Sequence, residues 1–134
     1  MSTCLKAVTS LSVSGEVPSW NHRTTIDKLT APGVGQDNRL SYFAPVGEAL
    51  SLASIPAATG DSILIFNNSA AGRNKAAAQI ITKGPTNWVG TFGLSGNQDA
   101  FQIGAGVGYV YRRVASASAG SLNWSDSQGY IPSL

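Results

Sequence analysis

The chain has little charge. Charged residues make up 12% of its 134 positions, about half the usual share, and nine basic and seven acidic side chains leave a formal net charge of +2. Arg112 and Arg113 are the only adjacent basic pair, so the sequence lacks the clustered basic residues that bind nucleic acid. A surface with so few charges is weakly protected against self-association.

Cysteine and histidine occur once each, as Cys4 and His22. A single cysteine excludes a disulfide within the chain, although Cys4 could form one with a second chain. The scarcity also excludes a Cys/His zinc site, and the scattered carboxylates lack the spacing of a calcium loop. We therefore predict no metal and no cofactor.

Long apolar runs are also missing. No stretch approaches the roughly 18 apolar residues of a membrane-spanning helix, and the first residues lack the apolar block and cleavage site of a signal peptide. We predict no membrane insertion. Virion assembly followed by lysis is one route of release that needs no signal.

Two short motifs imitate catalytic or nucleotide-binding sequences. Gly60-Asp61-Ser62 resembles the start of an esterase nucleophile motif, but His22 lies upstream and no histidine follows that could act as its base. The glycines between Gly104 and Gly108 precede a β-rich segment, whereas a phosphate loop precedes a helix. We predict that the protein is not an enzyme.

The stretch 61–83 indicates the centre of the fold. Its apolar run Ile63–Phe66 is too short for a typical helix and is flanked by turn residues, which favours a buried strand. A second strand around Ile80–Thr82 ends at the turn signal Gly84-Pro85. We expect the two strands to pair.

Short β-type segments and turn signals alternate along the rest of the chain. The pattern predicts one all-β domain, a sandwich or barrel-like fold of about eight to nine short strands, with an N-terminal arm. The predicted boundaries are an arm at 1–17, a β domain at 18–114 and a Ser/Ala-rich linker with a docking tail at 115–134. Residues 18–23 are predicted as a loop, 115–121 as the linker, and 48–53 as either a strand or a helical turn.

The N-terminal arm combines Ser and Thr with apolar side chains at Leu5, Val8, Leu11 and Val13. Such a segment can add a strand to the sheet of a neighbouring copy through main-chain hydrogen bonds. The alternative is that it pairs within its own domain. The sequence leaves both open.

Three tryptophans, Trp20, Trp88 and Trp124, are candidates for stacking on a carbohydrate. In a β domain, however, tryptophan more often lies in the core or in an interface. The core or interface interpretation is therefore favoured for all three.

Several motifs occur in a recognisable order between residues 38 and 114. They are Asp61–Asn68, then Gly72 and Asn74-Lys75, then Trp88, and finally Gly106–Arg113. This order resembles that of an uncharacterised family of secreted β-rich proteins from Verrucomicrobia and their relatives. The resemblance implies a bacterial surface or extracellular setting, and it brings no known activity or ligand.

The sequence thus favours a non-catalytic structural subunit whose partners are copies of itself, assembled into an extracellular filament or surface layer. Strand addition by the N-terminal arm is the expected joint. A virion capsid or decoration protein is the first alternative. A carbohydrate-binding module is the second.

Overall fold

A computed structural model of the chain describes residues 20–29, 32–42 and 46–128, without the side chains of residues 20–22 and 127–128. All the regular structure in these ranges is β-strand, which confirms the predicted all-β class. The ten strands are β1 (Trp20–Lys28), β2 (Gln36–Ser41), β3 (Glu48–Ala49), β4 (Ser62–Ile65), β5 (Gln79–Lys83), β6 (Trp88–Phe92), β7 (Gly96–Asn97), β8 (Gln102–Ile103), β9 (Gly108–Arg113) and β10 (Gly120–Gln128).

The main sheet has six antiparallel strands in the order β2-β9-β4-β5-β6-β7. The predicted central pair is confirmed, because β4 and β5 pair with Ile63 opposite Ile81. Strand β9 pairs with the other side of β4, where Tyr111 lies opposite Ile63. Strand β6 continues the sheet beyond β5 with an irregularity at Ile80.

A two-stranded ribbon of β1 and β10 lies beside the β2 edge of this sheet. Side-chain amides join the two. Asn38 Oδ1 accepts a hydrogen bond from the Asp27 N–H at 2.9 Å, and Asn38 Nδ2 donates to the Asp27 carbonyl at 3.0 Å. Gln36 Oε1 accepts from the Leu29 N–H. The Asn38 amide thus satisfies backbone groups of β1, and the Gln36 amide satisfies the N–H of the residue that follows the strand.

The core lies between the inner face of the main sheet, the β1–β10 ribbon and the β3–β8 pair. Strand alternation explains its composition, since Ile63, Ile81 and Tyr111 point inward from three adjacent strands and are at most 5% exposed. Burying each aliphatic side chain contributes about 1.5–3 kcal/mol. The buried hydrophobic cluster consists of Ile26, Tyr42, Leu50, Ala53, Ile63, Ile81, Trp88, Ile103, Tyr111 and Trp124.

Two expectations about loops were wrong. The segment 18–23 was expected to be a loop, but β1 already begins at Trp20. Gly120 and Ser121 were assigned to a linker, yet they begin β10, which pairs with β1 along nine residues. The low-complexity Ala/Ser sequence before it did not indicate this strand, whose inward residues are Leu122, Trp124 and Asp126.

Within the described ranges, no helix is long and apolar enough to cross a membrane.

Candidate functional site

A buried carboxylate, Asp61, organises the first polar cluster. It immediately precedes β4 and is fully buried. Its Oδ1 accepts a hydrogen bond from the Val114 N–H at 2.8 Å, and its Oδ2 accepts from the Ala58 N–H at 3.0 Å and the Tyr111 hydroxyl at 2.8 Å. Arg113 Nε lies 3.5 Å from Oδ2. The carboxylate thus ties the segment before β4 to β9.

The Arg113 guanidinium is less well satisfied than the carboxylate. It is 6% exposed, and its Nε and Nη1 atoms are buried without a hydrogen-bond partner in the structure described. Its attraction to Asp61 is therefore mainly that of two charges in a poorly solvated interior. The cluster fixes the fold.

A second polar cluster surrounds Tyr42. The Tyr42 hydroxyl lies 2.8 Å from Glu48 Oε2 and 2.9 Å from Asp126 Oδ2. Its ring stacks on Trp124 with centroids 6.0 Å apart and ring planes 14° from parallel. Trp124 Nε1 donates to the Ala53 carbonyl at 2.6 Å. These contacts fasten β10 to the segment that follows β2.

The environment of both tyrosines keeps them protonated. Burial raises the pKa of the Tyr111 hydroxyl far above its usual value, and the negative charge and hydrogen bond of Asp61 raise it further. For Tyr42, burial is again the largest cause of a raised pKa, followed by the hydrogen bonds to Glu48 and Asp126. Neither phenol is poised to act as a base near neutral pH.

A surface cleft of about 190 Å³ lies beside β6. Its polar groups include Lys83 and Asp99, and its floor includes Trp88. The Lys83 ammonium lies 5.7 Å from the centre of the Trp88 ring, and Asp99 Oδ1 accepts a hydrogen bond from the Trp88 N–H at 2.8 Å. The full lining is Leu50, Ser51, Ser54, Ile55, Lys83, Thr86, Trp88 and Asp99.

One edge of the main sheet is only half covered. Strand β7 pairs with Val89 and Gly90 of β6 alone, so within the described ranges no strand continues past Thr91 and Phe92. The Phe92 side chain is 57% exposed. From Gly84 to Gln98 the chain carries no charged residue, although charge is a common protection of sheet edges.

An apolar row crosses the outer face of the sheet and ends at this edge. Leu64 lies opposite Val110 on one side and Ile80 on the other, and Ile80 lies opposite Phe92. Leu64 alternates with Ile63, so its side chain lies on the opposite face of the sheet. There it is only 5% exposed, and Phe92 is the exposed member of the row. We call Val110, Leu64, Ile80 and Phe92 the outer row.

The residues predicted for assembly, Leu5, Val8, Leu11 and Val13, and the disulfide candidate Cys4, lie outside the described residues. Trp20 begins β1, but its side chain is also outside the description.

Trp88 and Trp124 are 4% and 3% exposed. Their burial agrees with the core interpretation and counts against either ring stacking on a ligand.

Among the residues that the structure describes, no group of three or more His, Cys, Asp or Glu side chains is placed to hold a metal ion. Sequence reasoning did not identify the cleft or the uncharged edge. The uncharged run from Gly84 to Gln98 could have indicated the β6 edge. The cleft depends on long-range contacts such as the Trp88–Asp99 hydrogen bond.

Comparison with known proteins found no matching family model, no similar curated protein and no similar solved structure. The resemblance to the Verrucomicrobia family therefore stays an expectation from the sequence.

Proposed function

We propose that the protein is a non-catalytic structural subunit that self-assembles into an extracellular filament or surface layer. In this proposal the N-terminal arm, residues 1–17, of one copy adds a strand to the sheet of the next. The half-covered β6 edge is the acceptor. This edge is the observation that carries the proposal.

The acceptor offers both parts of a strand-addition site. Beyond Gly90, the outward side of β6 has no strand neighbour among the described residues, so its backbone can pair with an incoming chain. Phe92, 57% exposed, supplies an apolar side chain beside that backbone. The absence of charge from Gly84 to Gln98 removes the usual obstacle to such pairing.

The arm has the complementary chemistry. Leu11 and Val13 are two positions apart, so in an extended conformation their side chains share one face. That face would pack beside Phe92 while the arm's backbone pairs with β6. A joint between two different surfaces of identical copies is heterologous, and repeated without closure it produces an open filament.

The test compares the full chain with three variants by light scattering and negative-stain electron microscopy. Deleting residues 1–17 removes the donor, and Phe92→Asp places a charge on the acceptor. Leu29→Asp is the matched control, because Leu29 is 79% exposed and follows β1, away from this edge. We expect the deletion and Phe92→Asp to abolish assembly and Leu29→Asp to preserve it.

Assembly that survives both the deletion and Phe92→Asp would contradict the proposed joint. Closed shells in place of fibres would favour the virion alternative. For the carbohydrate-binding alternative, the burial of Trp88 and Trp124 removes two of the three stacking candidates.

A further inference from the structure

We propose that the cleft beside β6 binds a single ring of a small polyhydroxylated ligand, of the pyranose sugar class. This proposal is independent of self-assembly, because the cleft and the acceptor edge use different residues. The ring would be held by charged and hydroxyl groups at the cleft wall. Stacking on an exposed indole plays no part.

The carboxylate of Asp99 is held in place by its surroundings. Its Oδ1 accepts from the Trp88 N–H at 2.8 Å, its N–H donates to Asn97 Oδ1 at 2.8 Å, and its carbonyl accepts from the Ser51 N–H at 3.0 Å. None of the hydrogen bonds among the described residues uses Asp99 Oδ2. A positioned acceptor with one oxygen to spare suits a ligand hydroxyl.

Lys83 supplies the matching donor. Its Nζ donates to the Thr86 carbonyl at 3.3 Å and lies 5.7 Å from the Trp88 ring centre. An ammonium group has three protons, so two stay available to a ligand. The indole holds the cation over the cleft floor through its π face.

A further residue of the cleft lining has a strained backbone. Ser54 has a φ of +50°, one of two non-glycine residues with positive φ in the described structure. Such a conformation costs roughly 1–3 kcal/mol and is common at binding sites. Ser51 adds a hydroxyl that can donate or accept. The hydroxyls of Ser54 and Thr86 donate to the Leu52 carbonyl and to Asn87 Oδ1, so they offer a ligand their acceptor oxygens.

The chemistry of the lining selects the ligand class. One cation and one carboxylate in the same lining disfavour a simple anion, whereas the hydroxyls of one sugar ring can both accept from Lys83 and donate to Asp99. The apolar part of the lining can face the C–H groups of a sugar ring mainly through the half-buried Ile55, since Leu50 and Trp88 are only 2% and 4% exposed. At about 190 Å³, the cleft is smaller than the roughly 300–1,000 Å³ of sites for drug-sized ligands, which fits one ring.

The test is an amide NMR titration of the full chain carrying Phe92→Asp, which the proposed joint leaves unassembled. The probes are the methyl pyranosides of glucose, galactose, mannose and xylose, and separately inorganic phosphate. We expect saturable shifts for at least one pyranoside at the amides of Ser51, Ser54 and Trp88. Asp99→Asn and Lys83→Met should each weaken binding about tenfold, since each removes a charge-assisted hydrogen bond. Asp37→Asn and Lys75→Met are matched controls that change the same charges elsewhere.

Asparagine can still accept from the Trp88 N–H, so Asp99→Asn should preserve the fold, and the same spectra check this. Binding of phosphate without any pyranoside would overturn the proposal, as would the absence of saturable shifts with every probe. Equal weakening by the control variants would overturn the assignment to this cleft. None of these outcomes bears on the assembly of the deletion variant.

Discussion

Replacing Asp61 should be much more costly than replacing Arg113, although the two form one buried ion pair. Asp61→Ala leaves the Arg113 guanidinium, 6% exposed, without its counter-charge and deprives the Tyr111 hydroxyl and two backbone N–H groups of their acceptor. Breaking a buried pair in this way costs about 3–5 kcal/mol. At roughly 4 °C per kcal/mol for a chain of this length, the melting temperature should fall by about 15 °C.

Arg113→Met removes the cation but leaves Asp61 with all three of its hydrogen-bond donors. The lost guanidinium had no hydrogen-bond partner for Nε or Nη1 in the described structure. The buried carboxylate loses its counter-charge, but its three hydrogen bonds offset part of that loss, so we expect a cost of about 2 kcal/mol, below that of Asp61→Ala. The double variant Asp61→Ala with Arg113→Met should be more stable than Asp61→Ala alone, because it no longer buries an unpaired charge.

The assay is urea unfolding followed by tryptophan fluorescence for the four members of this cycle. Fluorescence suits it because Trp88 and Trp124 are buried in the core and become exposed on unfolding. The reasoning would be refuted if Arg113→Met cost as much as Asp61→Ala, or if the double variant were the least stable of the four.

Two further predictions concern backbone geometry and alkaline pH. Gly93 and Gly96 have similar positive φ angles of +66° and +74°. A Cβ on Gly93 would clash with the Ala78 carbonyl oxygen, whereas one on Gly96 meets nothing within 4 Å. Gly93→Ala should therefore lower the free energy of unfolding clearly more than Gly96→Ala, which should cost about 1–2 kcal/mol, and equal losses would contradict the clash. Burial raises the pKa of Tyr42 and Tyr111, so the folded state keeps two protons that the unfolded state releases near pH 10. The free energy of unfolding should therefore fall above that pH by about 1.4 kcal/mol per pH unit for each tyrosine. Tyrosinate absorbance and melting curves check this, and ionisation of all four tyrosines near pH 10 with the fold intact would be inconsistent with it.

Local sequence pattern was enough to predict the central strands. The apolar run at Ile63–Phe66 and the β-branched run at Ile80–Thr82 were each bounded by turn residues, and the structure pairs them as expected. The pattern did not predict β10, because residues 115–121 look like a linker and the rest of the strand was predicted only as part of a docking tail. Its strand character comes from pairing with β1 about a hundred positions away, as in the pair Thr24 and Trp124.

The buried polar clusters could not be predicted from the sequence either. In β9, Arg113 shares a face with Tyr109 and Tyr111, so each face of the strand combines apolar and charged residues and neither is clearly the buried one. Only the long-range approach of Asp61 makes that face suitable for the interior. The cleft likewise depends on the separate contacts of Lys83 and Asp99 with Trp88, which no local periodicity in the sequence predicts.

The most direct test of self-assembly is light scattering with negative-stain electron microscopy on the full chain beside the variant that lacks residues 1–17. The proposal predicts ordered fibres or layers for the full chain and their loss in the deletion variant. A monodisperse full chain near 13.8 kDa would contradict it.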